Sequence, residues 1–134
     1  MKKIFIVSVL FLSVLGSSCK HEGIHERIAR QSREFTERSC PKRMDTYTVL
    51  DSIVYAMEDK TMSYYYSVSD KLDNDSIYTD VFLNVFHTDL LNNLRDNIGL
   101  VELKQNYVRF KYIYYSSTSK KEYMSFCFEP EMYR

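Results

Sequence analysis

The alternation of side chains over residues 62–68 constrains the fold more than any other stretch of this sequence. Met62, Tyr64, Tyr66 and Val68 stand at every second position, with serine or tyrosine between them. A period of two is that of a β-strand with one buried face. The composition agrees, because 12 Tyr and 8 Phe in 134 residues favour a β-containing core. We therefore predict a strand whose Met62 side faces the core.

Three further segments are rich in β-branched and aromatic residues and are also predicted to be strands. They lie at Thr46–Met57, Tyr107–Tyr115 and Tyr123–Phe128. A short polar turn joins the first strand to the second, and another joins the third to the fourth. We therefore expect the four strands to form two hairpins. One hairpin precedes the long helix described next, and the other follows it.

Two segments carry apolar residues at helical spacing. The longer helix is predicted over Ile77–Asp96, with Asp75 or Ser76 as its cap and Phe86 in the middle of its buried stripe. The shorter helix is predicted over Ile24–Phe35, and Cys40-Pro41 is predicted to end it, because the residue before a proline avoids the helical region. We expect this helix to cover the second apolar side of the longer one. The order α-ββ-α-ββ predicts an α+β fold, with helices packed on one face of an antiparallel four-stranded sheet.

The N-terminus has the character of an export signal. Lys2 and Lys3 precede an apolar run at Ile4–Leu15, and small residues follow, as in secretory signal peptides. The run is roughly a dozen residues, too short to span about 30 Å of bilayer as a helix.

The segment Leu15–Cys19 resembles a bacterial lipobox, with Gly16 at the position where Leu is usual. The resemblance implies that the Cys19 thiol is acylated and that residues 1–18 are removed, so that lipid holds the chain to a membrane. Because Lys20 follows the cysteine where some lipoproteins have Asp, we expect the outer membrane of the cell envelope, on either its periplasmic or its surface face. An ordinary secretory signal and an uncleaved anchor are the alternatives.

Charge and length restrict the class of protein further. The predicted organisation is a cleaved signal at 1–18, a lipidated tether and N-terminal helix at 19–39, and an α+β globular domain at 40–134. Removal of residues 1–18 leaves 134 − 18 = 116 residues, enough for one domain.

The 18 basic and 18 acidic residues balance, and this lack of a basic excess predicts no nucleic-acid partner. No phosphate-binding glycine loop is present, and we predict no cofactor.

Cys40 and Cys127 remain once Cys19 carries lipid. In an oxidising envelope they form a candidate disulfide. The alternative is two separate thiols, because the sequence does not show whether their Cα atoms lie close enough to be bridged.

One catalytic motif matches literally. His21-Glu22-Gly23-Ile24-His25 has the H-E-x-x-H spacing, which on a helix places two imidazoles for zinc and a glutamate as general base. A chance match in a tether is the competing interpretation, because Gly23 interrupts the helix and Gln31 stands where a third histidine ligand would follow. The remaining histidine, His87, is expected at the boundary of the core, and we predict no metal site.

The candidate binding surface is the side of the sheet opposite the Met62 face. Alternation places Tyr65, Arg109, Lys111 and Tyr123 there, and tyrosine and arginine are enriched at binding hot spots. An ordinary half-polar outer sheet face is the competing interpretation.

From Cys40 onward the chain resembles small, functionally uncharacterised exported proteins of bacteria, common among Bacteroidetes lipoproteins. The resemblance is carried by Cys40-Pro41, Asp45, Thr48–Ser52, Tyr64 and Tyr66, Leu90–Leu94 and Val108–Tyr114. Gln105-Asn106 replaces the usual glycine before the third strand. These patterns imply a fold and a cellular location, but no activity.

We therefore expect a membrane-tethered, non-catalytic module that binds an envelope protein or glycan. Two alternatives remain open. One is a small zinc hydrolase using His21, Glu22 and His25, and the other is a periplasmic inhibitor that presents the loop Asp70–Ser76.

Overall fold

The structure is a computed structural model that describes residues 21–134. The export signal and the predicted acylation site at Cys19 therefore lie outside the described residues. Within the described range, no helix combines the length and the hydrophobicity needed to cross a membrane.

Five strands form one sheet whose spatial order follows the chain. They are β1 (Lys42–Arg43), β2 (Thr48–Ala56), β3 (Thr61–Val68), β4 (Arg109–Ser116) and β5 (Glu122–Phe128). All neighbours are antiparallel except β3 and β4, which are parallel. The α+β class is confirmed, and the four predicted strands correspond to β2–β5. The sheet differs from the prediction in having the additional short strand β1 and in being mixed, because β3 and β4 are parallel.

The parallel pair arises from the long helix between the two hairpins. The helices are α1 (Ile24–Ser39), α2 (Asp80–Asp96), α3 (Val101–Gln105) and α4 (Pro130–Tyr133). A 17-residue helix is about 25 Å long, close to the length of an eight-residue strand. Helix α2 therefore returns the chain to the end at which β3 began, and β4 must run in the same direction as β3.

Helix α2 begins later than predicted. Residues 75–77 form a separate 3₁₀ turn capped by Asn74, and the cap of α2 is Thr79, whose hydroxyl accepts from the Phe82 N–H at 3.3 Å. The expected cap at Asp75 or Ser76 is therefore wrong. Helix α1 extends to Ser39, beyond the predicted Phe35, and Cys40 is its C-cap, immediately before Pro41.

The core lies between the helices and one face of the sheet. Its most enclosed large side chains are Phe110, Phe128, Leu94, Val68 and Val108, each at most 1 % exposed. The Met62 side of β3 faces this core, as its alternation predicts.

Helix α1 packs on β2, with Ile28, Ala29 and Ser32 buried. It does not cover the second apolar side of α2, because Val81 and Val85 remain 74 % and 57 % exposed.

A threonine on α1 completes the edge of the sheet. Strand β1 pairs only with Val49 and Leu50, so the backbone of β2 beyond that point has no strand partner on this side. The Thr36 hydroxyl accepts from the Ile53 N–H at 2.9 Å and donates to the Ile53 carbonyl at 3.0 Å. One side chain thus satisfies both backbone groups of Ile53 and fixes α1 against the sheet.

The two cysteines of the described region do not form the candidate disulfide, and the structure agrees with the alternative of two separate thiols. Both thiols are free. Cys40 lies at the end of α1 beside the β2 edge, and Cys127 lies on β5 at the opposite edge. Since β2 and β5 are three strand spacings apart, about 14 Å, the Cα atoms lie beyond the roughly 7 Å that a bridge tolerates.

Replacing Thr36 with valine should destabilise the fold. The variant keeps the side-chain volume but leaves the Ile53 N–H and carbonyl without their partner, which should lower the free energy of unfolding by about 1–3 kcal/mol. Urea denaturation measures this change. Thr88→Val is the matched control, because the Thr88 hydroxyl bonds only a carbonyl of its own exposed helix turn. Equal losses in the two variants would contradict the role of Thr36.

Candidate binding groove

Three of the four residues predicted for the binding surface share the uncovered side of the sheet, which we call the open face. The register places Tyr65 beside Ile113, Ser63 beside Lys111 and Thr61 beside Arg109. Tyr65 stacks on Tyr115, with ring centroids 6.3 Å apart. Arg109 and Lys111 are exposed, and helix α1 does not cross them.

Tyr123 lies on the other side, so its assignment to the open face is wrong. The pairing of β4 and β5 shifts between Tyr114 and Tyr115, and this irregularity turns Tyr123 toward the core face. Its ring stacks on Tyr78 at 4.5 Å, and its hydroxyl donates to Asp73 at 2.6 Å.

The zinc motif does not form the arrangement that a zinc hydrolase requires. His21 and Glu22 precede α1, and Gly23 is its N-cap, so the two histidines do not share a helix face. Glu22 accepts from the Arg30 guanidinium at 2.8 and 3.0 Å. His25 bonds the Tyr55 hydroxyl through Nδ1 at 2.6 Å. Among residues 21–134, no cluster of three or more His, Cys, Asp or Glu could hold a metal ion.

The remaining histidine lies at the boundary of the core, as expected. The His87 ring is half-buried and packs 5.5 Å from Phe126 and 5.0 Å from Phe128, centroid to centroid. It has the surroundings of a packing residue.

A groove crosses the helix-covered face of the sheet between α2 and the loop that follows β1. It consists of two adjoining cavities of about 390 and 350 Å³, which share Met44 and Tyr66. Helix α2 forms one wall with Phe82, Phe86 and Leu90, and Met44 stands on the opposite rim. Pockets of this volume accommodate small ligands or short segments of a partner chain.

Four tyrosines form the floor of this groove, and we call them the floor tyrosines: Tyr64, Tyr66, Tyr112 and Tyr114. They stack in pairs across the parallel strands, Tyr64 on Tyr112 at 5.1 Å and Tyr66 on Tyr114 at 4.7 Å. The Phe86 ring meets Tyr114 edge-on at 5.2 Å. Phe86 is therefore half-buried at the groove wall, where the sequence predicts a buried core residue.

The floor tyrosines leave their hydroxyls unpartnered. Among the described side chains, none of these four hydroxyls makes a hydrogen bond with protein. No fully buried side-chain N or O atom in the same range lacks a partner, so the four hydroxyls reach solvent. Tyrosine hydroxyls that are enclosed by protein ordinarily find a protein partner, whereas these four are accessible to solvent or to a ligand.

The groove is electrically neutral apart from one carboxylate. Of the side chains that line the two cavities, only Asp45 is charged, and one of its oxygens accepts from the Tyr47 N–H at 2.9 Å. Burial raises the pKa of Tyr66 to about 12 and also raises the pKa of the other floor tyrosines. Their hydroxyls are therefore neutral at physiological pH, able both to donate and to accept.

The lining offers binding chemistry but no catalytic pair. It contains no histidine, cysteine, lysine or arginine, so no side chain there matches the usual nucleophile and base combinations. The sequence predicts that Tyr64 and Tyr66 face the core, but it does not predict the groove. The available signal was the repeated Tyr-x-Tyr at Tyr64–Tyr66 and Tyr112–Tyr114, because a purely structural core has no need of hydroxyls.

The fold and the groove define a small α+β protein with one mixed sheet, helices on one face and a tyrosine-floored groove between them. The chain belongs to the family described as domain of unknown function (DUF8479), whose model matches residues 23–124.

A solved structure with the same fold comes from Pseudomonas aeruginosa, a protein predicted to be secreted. It is 13 % identical, with a TM-score of 0.64 over 82 % of this chain and 89 % of that one. At this identity the likeness concerns the fold alone. No curated protein matches the chain.

The floor tyrosines should make the fold sensitive to alkali. A tyrosine whose pKa is raised by folding contributes stability that is complete below its unfolded pKa of 10.0 and is lost as the pH rises toward the folded value, about 12 for Tyr66. Urea unfolding across this window should show a steady loss of stability. The loss should be smaller in Tyr66→Phe/Tyr114→Phe, and an equally steep loss in that variant would contradict the assignment.

Proposed function

We propose that this chain is a lipid-anchored, non-catalytic binding module of the bacterial envelope, and that its ligand occupies the tyrosine-floored groove. One observation carries the proposal. Four neutral hydroxyls stand in a preformed concave site without protein partners and with access to solvent, so each is free to donate a hydrogen bond to a ligand or accept one from it. A ligand that satisfies them gains binding energy without requiring the fold to rearrange.

The proposed location in the cell envelope rests on the N-terminal residues and on the resemblance to exported lipoproteins. Basic residues, a short apolar run and a lipobox-like Leu15–Cys19 support acylation of Cys19 and the outer membrane as the site. The likeness to exported Bacteroidetes lipoproteins supports the same address. The Pseudomonas aeruginosa protein of the same fold is predicted to be secreted, which agrees with an extracytoplasmic location.

The alternative activities have less support. A zinc hydrolase is disfavoured because Glu22 is engaged by Arg30 and His25 by Tyr55. An inhibitor presenting Asp70–Ser76 is disfavoured because this loop is bonded to the body of the domain: Asp73 accepts from Thr118 and Tyr123, and Asp75 pairs with Lys121 at 2.9 Å.

Replacing Cys19 with serine should release the protein from membranes. Without the thiol no lipid can be attached, so the variant should lose acyl labelling, and any processed chain should fractionate with soluble envelope proteins. Metabolic labelling with a palmitate analogue and membrane fractionation measure the two effects. Cys127→Ser is the control and should keep the wild-type behaviour. A Cys19→Ser chain that remains uncut and membrane-bound would identify a plain hydrophobic anchor.

A photo-crosslinking amino acid at the groove rim should capture the ligand in intact cells. Val85 is 57 % exposed on α2 beside the groove, and Val54 is 50 % exposed on the open face, so the two positions are matched in size and exposure. We expect a specific adduct from position 85 that is lost in Tyr66→Phe/Tyr114→Phe. An adduct formed only from position 54 would move the binding site to the open face and contradict the groove.

A further inference from the structure

We infer that the groove binds a segment of polypeptide in extended conformation, with apolar side chains and no net negative charge. This inference rests on the proposed function and names the class of its ligand. It follows from three properties of the site: the orientation of the floor tyrosines, the repeat of their hydroxyls, and the chemistry of the rim.

The orientation of the floor tyrosines disfavours a sugar ligand. Carbohydrates bind aromatic residues through the ring faces. Here the faces of Tyr64 and Tyr112 are turned to each other at an interplanar angle of 11°, and those of Tyr66 and Tyr114 at 12°. The floor therefore presents ring edges and hydroxyls to the groove, which form hydrogen bonds but offer no stacking platform.

The repeat of the hydroxyls matches an extended backbone. Tyr64 and Tyr66 are alternate residues of β3, as Tyr112 and Tyr114 are of β4. Alternate residues on one side of a strand lie about 6.6–6.8 Å apart, and the carbonyls on one side of an extended peptide have the same repeat. A peptide lying along the strands can thus bond successive hydroxyls. A helical ligand has its backbone groups bonded internally, and a hydrocarbon chain would bury the hydroxyls unpaired.

The rim favours apolar side chains over acidic ones. Met44 is 50 % exposed on one side of the groove, and Val85 is 57 % exposed on α2 on the other side. On a helical wheel Val85 lies about 60° from Phe82, a residue of the groove wall, and the exposed Asp89 lies about 20° from Phe82. The outer edge of that wall therefore combines an apolar side chain with a carboxylate. Asp45 is the charged residue of the lining, and no cation in it would offset an acidic ligand.

Selection from a random heptapeptide phage library on the mature protein in lipid nanodiscs tests this inference. We expect enrichment of apolar sequences poor in Asp and Glu. A synthetic selected heptapeptide should bind in calorimetry, and N-methylation of its alternate amides, which prevents a regular extended pairing, should weaken it. Maltoheptaose and palmitate are the competing probes, one for a glycan and one for an acyl chain.

Hydroxyl-deletion variants distinguish the groove from other surfaces. Tyr66→Phe/Tyr114→Phe keeps both rings and removes two hydroxyls, so the heptapeptide should bind about tenfold more weakly if two net hydrogen bonds are lost. Tyr65→Phe/Tyr115→Phe, the stacked pair of the open face, is the matched control and should bind as the wild type does. Val85→Asp tests the rim without disturbing the core and should also weaken binding.

The outcomes separate this inference from the proposed function. Saturable binding of maltoheptaose or palmitate, lost in the groove variant while no heptapeptide binds, would overturn the peptide ligand and leave the binding module intact. Heptapeptide binding that is equal in the groove variant and the wild type would overturn the groove as the peptide site. Absence of binding by all three probes, together with absence of an adduct from position 85, would overturn both.

Discussion

The parallel pairing of β3 with β4 is the constraint on which the rest of the structure depends. It joins two hairpins that are separated by 40 residues of chain, from Val68 to Arg109, and it makes five short strands one continuous sheet. In this register Tyr64 lies beside Tyr112 and Tyr66 beside Tyr114. A slip of one residue would move each tyrosine of one strand to the opposite face. The groove floor, the placement of α2 and the closure of the core all follow from this one pairing.

The groove exists because the two long helices lie over opposite edges of the same face of the sheet and leave the middle of that face less covered. Helix α1 is held over β2 by the Thr36 bonds and by an ion pair from Arg27 to Glu102 of α3. Helix α2 lies over β4 and β5, where Phe86 packs on Tyr114 and Phe126. Tyrosine suits this middle strip, because its ring packs with apolar neighbours while its hydroxyl reaches solvent. The packed rings stabilise the empty protein, and the accessible hydroxyls can form hydrogen bonds with a ligand.

The two faces of the sheet offer different chemistry to a partner. The open face presents Arg109 and Lys111, and Arg109 is paired with Glu129 at 2.7 Å. The groove is concave, Asp45 is the charged residue of its lining, and the hydroxyls of its four floor tyrosines have no protein partner. Concavity lets a small ligand lose most of its contact with water, and unpartnered hydroxyls give direction to its binding. These properties favour the groove over the face that alternation alone singles out.

The sequence by itself determined where most helices and strands form and which of their side chains face the core. Period-two alternation predicted that Met62, Tyr64 and Tyr66 face the core, and Cys40-Pro41 predicted the end of α1, because both signals act within a few residues of chain. Only the tertiary structure decided the direction of β4, the face of Tyr123 and the separation of Cys40 from Cys127. Each of these depends on contacts between residues far apart in the chain. A local pattern specifies which side chains share a face, whereas the packing of α2 against the assembled sheet specifies which strands meet and in which direction. The floor tyrosines illustrate both contributions. Their alternation is visible in the sequence, whereas the groove above them depends on how the helices pack on the sheet.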